Sequence, residues 1–198
     1  MLSSADQRAV DYYNKFARGR TQAPPDIELV SDDFARQTYC FLPAVNRVVD
    51  AGCGYGRAVP LLRELGTTDY LGVDPSREQV RLARLLHPDC TFEVSSLYDL
   101  GTRHLGEFDG FFLCAVLFCI PRHRLARAFK SLRASLKQGA TGLASATIGR
   151  GTIANTDGLE LTLYQPQELI DVAKAAGFSV RDCRVVEGRL FQVSLEAV

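Results

Sequence analysis

The residues whose types and spacing can do chemistry sit in one stretch and one outlier. The stretch is Val48-Val49-Asp50-Ala51-Gly52-Cys53-Gly54-Tyr55-Gly56-Arg57, and the outlier is Asp74. Three glycines alternating with other residues make a turn in which backbone N–H groups can face a ligand at close range. A dinucleotide fingerprint would need its third glycine at position 57, which is Arg57. Asp50, just before the first glycine, would repel a pyrophosphate and attract a cation through a charge-assisted contact. The chemistry expected of this loop is therefore capture of a cationic ligand that carries no phosphate.

S-adenosylmethionine (SAM), with an α-ammonium and a sulfonium, fits that description better than NAD or FAD. The stretch also resembles the first motif of class I SAM-dependent methyltransferases, a hydrophobic strand followed by D-x-G-C-G-x-G-R. A second feature agrees: Tyr70-Leu71-Gly72-Val73-Asp74-Pro75-Ser76 reads as a strand ending in an acid. Asp74 follows Gly52 at close to the roughly 20 residues that bring a carboxylate to ribose hydroxyls. The resemblance, running from about Tyr12 to near the C-terminus, implies cofactor contacts at Asp50, Gly52, Cys53, Gly54, Arg57, Asp74 and Pro75. It adds Ser96 and Leu97, where the family usually has Gly-Asp-Ala against the adenine, and Cys114 near the end of the Phe108–Leu117 run. A serine at position 96 accepts a hydrogen bond less strongly than a carboxylate.

These residues need strands and helices to hold them. Arg47 to Val49 reads as a buried strand, and Val59, Leu61, Leu62 and Leu65 as a helix that stops at Gly66. Ser76-Arg77-Glu78-Gln79 is a capping-box sequence opening a helix that ends near His87-Pro88. Strands are expected at Cys90 to Val94, through the apolar run Phe108 to Leu117, and from Gly142 to Ile148. Leu125, Phe129, Leu132 and Leu136 predict a helix over 122–137, its interleaved basic residues forming a solvated face. Gly149 to Gly158 reads as a polar loop. Pro166 opens a helix closed by Gly177, and two last strands join through Glu187-Gly188-Arg189. Ahead of the first strand, residues 5–18 and a segment capped by Ser31 read as helices, the latter broken at Leu42-Pro43. The alternation predicts a Rossmann-like α/β fold: a seven-stranded, mostly parallel sheet with helices on both faces and a C-terminal antiparallel hairpin strand. One domain spans 1–198, with 1–45 covering the pocket and 46–198 forming the SAM-binding core.

Composition narrows the function further. The 198 residues hold 23 basic and 23 acidic side chains, so no bulk charge argues for nucleic acid or an anionic membrane. No apolar run reaches the roughly 20 residues of a membrane span, and Met1 to Gln7 lacks signal-peptide features. The six cysteines form no C-x-x-C pair and no zinc spacing with the three histidines, so no metal is expected. Scattered free thiols agree with a cytoplasmic setting.

On the acceptor side, the N-terminal helices of the resembled family cover the cofactor, which makes Tyr12, Tyr13 and Phe16 pocket candidates. Leu117 and Tyr164 are candidates from the end of the apolar run and the later Tyr164-Gln165-Pro166-Gln167-Glu168-Leu169 segment. Sequences used for methylating nucleic-acid bases are missing: no N/D-P-P-Y and no Pro-Cys. Leu117-Phe118-Cys119-Ile120-Pro121 stands where many small-molecule enzymes have L-H-H-x-P. His87, His104 and His123 are not placed by any motif as a base, and no catalytic residue is named. The expected function is methyl transfer from SAM to a small molecule, chiefly by positioning. A non-catalytic SAM-binding partner subunit is the second reading and an NAD(P) oxidoreductase the third. Neither the substrate nor the oligomeric state is legible.

Overall fold

The computed structural model describes residues 2–24, 46–103, 105–186 and 188–198. The helix expected after Ser31, the Leu42-Pro43 break, Cys40, His104 and Glu187 fall outside them. The sheet is built around β1 (Arg47–Ala51), which lies parallel between β2 (Asp69–Asp74) and β4 (Phe108–Leu113). β3 (Thr91–Val94) extends the sheet beyond β2, and β5 (Leu136–Thr147) beyond β4. At the far edge, β9 (Leu190–Ala197) runs antiparallel between β5 and β8 (Phe178–Val186). The order β3-β2-β1-β4-β5-β9-β8 is the seven-stranded, mostly parallel arrangement that the alternation predicts, with its antiparallel C-terminal hairpin.

Burial explains why the middle of β1 is apolar on both faces. Val48 packs with Val59 and Leu62 of α2 (Val59–Glu64) and Val80 of α3 (Arg77–Leu86) on one face. Val49 packs on the opposite face, in the cluster of Phe129 from α4 (Leu125–Arg133) and Leu169 from α5 (Pro166–Ala175). Both valines are fully buried, as a parallel strand covered on two faces requires. β2 lies on one side of β1 and β4 on the other, which opens a crevice at their carboxyl ends. α1 (Ser4–Ala17) lies across that crevice.

Three local expectations are corrected. The helix over 122–137 is shorter: 122–124 form a 3₁₀ turn and α4 stops at Arg133. Leu136 instead opens β5 opposite Phe108, whose N–H donates to Ser135 O at 3.0 Å. Leu136 is buried either way, so its spacing from Leu132 satisfied a helix and a strand alike. The apolar run does not stay extended to Leu117, because Ala115 takes φ +56° and ends the strand at Leu113. The polar loop after Gly149 contains a small hairpin, β6 (Thr152–Ala154) against β7 (Glu160–Thr162). No helix among the described residues is long and apolar enough to cross a membrane.

Candidate active site

The carboxyl ends of β1, β2 and β4, with α1 above them, enclose a cavity of about 270 Å³. Its floor is the glycine turn. Gly52 has φ +86°, and a Cβ there would lie 2.6 Å from Val116 Cβ, so the turn and the segment after β4 approach too closely for any side chain. Gly56, at φ +82°, has the His87 ring against it, where a Cβ would lie 2.7 Å from Cδ2. His87 is thus a packing residue beneath the loop, and burial lowers its pKa.

Two carboxylates face one another across this floor. Asp50 is 2% exposed and accepts a hydrogen bond from the Tyr70 hydroxyl at 2.7 Å. Asp74 accepts from the Gly54 N–H at 3.0 Å and the Ser76 N–H at 2.8 Å. Burial pushes Asp50 up to about 7, with the charge of Asp74 adding and Tyr70 and Arg57 opposing. Burial likewise takes Asp74 up to about 6 against its two backbone donors. Two acids with raised pKa values facing one cavity mark a candidate binding site.

Every sequence-predicted cofactor residue lines this cavity: Asp50, Gly52, Cys53, Gly54, Arg57, Asp74, Pro75, Ser96, Leu97 and Cys114. So do Tyr12, Tyr13 and Phe16 from α1. Leu117 and Tyr164 do not. Leu117 is fully buried in the core, turned there by the 3₁₀ turn Leu117–Cys119. Tyr164 is fully buried as well, its hydroxyl donating to Ile120 O at 2.5 Å, so it supports the cavity wall from behind. Ser96 Oγ accepts from the Tyr98 N–H at 3.2 Å and caps the following 3₁₀ turn. His123 is exposed and away from the cavity.

Gln79 was read as half of a capping box, and the structure gives it another place. Ser76 Oγ accepts from the Gln79 N–H at 3.2 Å, but Asp74 takes the Ser76 N–H that the glutamine would have reached. The Gln79 side chain lines the cavity instead, facing Gly54, and its Oε1 is buried with no hydrogen-bond partner among the described residues. A buried acceptor left open in this way points to a ligand donor. Asp6, Tyr98, Cys119 and Phe118 also line the cavity and were not legible as site residues. Asp6 is 5% exposed and accepts from Ser3 Oγ and from the Tyr98 hydroxyl at 2.9 Å, and it pairs with Arg124. Burial alone would raise its pKa, but Ser3, Tyr98 and Arg124 together hold the carboxyl below the usual range.

A glycine cradle at the switch point of this sheet order, with acids at the ends of two adjacent strands, is where a Rossmann-like sheet binds its ligand. Residues 48–139, the stretch that carries the cradle, match the family model described as a methyltransferase domain. Solved structures share the fold at low identity. A 1,6-didemethyltoxoflavin-N1-methyltransferase from Burkholderia thailandensis, bound to that compound and S-adenosylhomocysteine, is 19% identical with a TM-score of 0.75. The match covers 100% of this chain and 92% of that one. Magnesium protoporphyrin IX methyltransferase from Synechocystis PCC 6803, bound to SAM, is 17% identical with a TM-score of 0.68, covering 100% and 99%. The [4+2]-cyclase SpnF superimposes as well, at 14% identity and a TM-score of 0.74, covering 100% and 98%. A comparison with curated protein sequences finds no match.

Proposed function

We propose that this protein binds SAM in the cavity and transfers its methyl group to a small-molecule acceptor. The observation that carries the reading is the pair Asp50 and Asp74, two desolvated carboxyls flanking a glycine cradle. A phosphate-bearing cofactor would meet repulsion there, whereas an ammonium is attracted. The site fits SAM on its own chemistry: Asp50 would hold the α-ammonium, Asp74 and the open Gln79 Oε1 the ribose hydroxyls, and Ser96 and Leu97 the adenine. Arg57, which also hydrogen-bonds the Cys114 thiol, offers a cation for the carboxylate. When bound, SAM supplies an electrophilic methyl group on sulfur. The chain's own contribution is to orient and to exclude water, which is the main requirement for an in-line displacement.

Because an allied fold carries a cyclase, activity has to be tested at the site rather than inferred from the sheet. Calorimetric titration of SAM, S-adenosylhomocysteine and NADH into wild type and Asp74→Ala is the direct experiment. SAM is expected to bind and NADH not to. Losing Asp74 should weaken SAM by roughly 1–3 kcal/mol, since open ribose hydroxyls lose a charged partner. A well-folded wild type that ignores SAM would end this reading. The second reading, a SAM-binding subunit without turnover, is favoured by Ser96, whose oxygen is occupied as a cap. Formation of S-adenosylhomocysteine by the isolated protein would remove it.

The same carboxyls set a pH dependence. Their folded pKa values lie above the unfolded one near 3.9, so the unliganded fold binds extra protons between about pH 4 and 7. These two groups therefore stabilise the free protein as pH falls through that window and cost stability above it. Binding of a cation needs Asp50 ionised, which reverses the trend for SAM. Its affinity should drop about tenfold per pH unit below 7, about 30-fold weaker at pH 5.5 than at pH 8. Calorimetry at neutral pH in buffers of different ionisation enthalpy should show proton release. Affinity flat from pH 5.5 to 8 would place the ammonium elsewhere.

In this reading the chain is one domain, with the N-terminal residues through 45 covering a core of 46–198, and α1 over the cavity supports it. A cytoplasmic setting is supported by the five described cysteines, all free. The cavity's mainly apolar lining suits a small molecule better than a nucleic acid.

A further inference from the structure

Resting on the reading above, we propose that the methyl acceptor is a flat, uncharged aromatic molecule whose accepting atom already carries an open lone pair, as a ring nitrogen or an aromatic amine does. With the donor placed along the glycine turn and Asp74, the other half of the cavity is left for the acceptor. Its wall is made by Val10, Tyr13 and Phe16 of α1 and by Val116, Phe118 and Ile120 after β4. The Tyr12 and Tyr13 rings meet edge to face at 5.1 Å between centroids, a geometry that leaves ring surfaces to stack on a flat guest.

The polar atoms of this wall are already engaged. The Tyr12 hydroxyl donates to Asp157 at 3.3 Å, and Tyr13 and Cys119 hydrogen-bond one another. Tyr98 donates to Asp6, and Asp6 is occupied by Ser3 and Arg124 besides. Among the described residues this end therefore presents no group to compensate a charge or a set of hydroxyls stripped of water.

Proton acceptance is missing for the same reason. The phenol of Tyr13 is pushed far above its usual value by burial, and burial takes the Cys119 thiol up to about 12, so both stay protonated. Asp6 is ionised but paired, and Asp50 and Asp74 are held by Tyr70, Gly54 and Ser76 at the donor end. An acceptor that had to be deprotonated by the enzyme would find no base here among the described residues. A lone pair on nitrogen instead forms the new bond to the methyl carbon while the carbon–sulfur bond breaks with its electrons going to sulfur. A ring nitrogen leaves as the N-methyl cation, and an aromatic amine sheds its extra proton to water.

The test is fragment binding to the full chain, without SAM, by calorimetry. Quinoline and 1-naphthylamine are the uncharged probes, 1-naphthoate the anionic one of similar shape. The uncharged probes should bind below millimolar and 1-naphthoate at least tenfold more weakly. Phe118→Ala, and Tyr13→Ala as a second variant, should weaken quinoline at least fivefold while SAM binds within about twofold of wild type. Equal or tighter binding of 1-naphthoate, or no binding of either uncharged probe, overturns the inference. Quinoline binding of the expected kind in a protein that ignores SAM would uphold the aromatic site and defeat the methyl-transfer reading alone.

Discussion

Gly52→Ala is expected to abolish measurable SAM binding, weakening it by at least a hundredfold, and to cost about 2–5 kcal/mol of folding stability. Two penalties add at this position. A residue with a Cβ at φ +86° carries roughly 1–2 kcal/mol of backbone strain. Overpacking contributes a further 1–3 kcal/mol, because the new carbon falls on the Val116 side chain. Val116 can yield only by moving the turn that holds Ala115 and Phe118, both of them cavity walls. The cofactor floor and the acceptor wall are thus displaced together. Gly66→Ala is the matching control, with φ +98° and nothing within 4 Å of the added carbon. It should cost about 1 kcal/mol and leave SAM binding intact. Urea unfolding and calorimetry on both variants read the two effects separately, and near-wild-type binding by Gly52→Ala would mean the turn is not the floor of the SAM site.

The contrast between these glycines shows what a sequence carries. Spacing around Gly52 and Gly54 was legible because strand and turn are neighbours in the chain and local sterics dictate them, and Asp74 because it ends the next strand at the distance a ribose contact needs. Ser96, Leu97 and Cys114 came instead from the family resemblance, which ties positions after two strands to the cofactor. Leu117 and Tyr164 were misplaced because apolarity says that a residue is buried but not on which side of a wall. A single positive φ at Ala115 decides that Phe118 and Ile120 line the cavity while Leu117 enters the core. Gln79 was hidden behind a capping pattern whose second half Asp74 had taken over. Nor could spacing reveal Asp6 with Tyr98 and Arg124, since those partners lie 92 and 118 residues away.

That long-range cluster leads to the other large effect. Asp6 and Arg124 form an ion pair with side chains 6% and 9% exposed, and the guanidinium lies 3.9 Å from the Tyr98 ring centroid. The pair ties the first turn of α1 to the 3₁₀ turn 122–124 that leads into α4. The other end of α1 is tied by Asn14, whose Oδ1 accepts from Ser76 Oγ at 2.8 Å and the Glu78 N–H at 3.1 Å. Arg124→Met should cost about 3–5 kcal/mol, since removing one partner strands a buried charge. The helix can relieve that penalty by lifting its N-terminal turn, so amide exchange should accelerate over residues 2–13 before it does so in β1 or β4. Adding Asp6→Asn to Arg124→Met should restore most of the loss, because the amide oxygen still accepts from Ser3, its NH2 group can donate to the Tyr98 hydroxyl oxygen, and no charge is left behind. Asp6 is held below its ordinary pKa, so its contribution is present above about pH 4 and disappears as the pH falls through the folded value. In the double variant that acid-side loss should be smaller. A double variant no more stable than Arg124→Met would show that packing of the guanidinium on Tyr98, rather than the charge of Asp6, fastens α1 over the cavity.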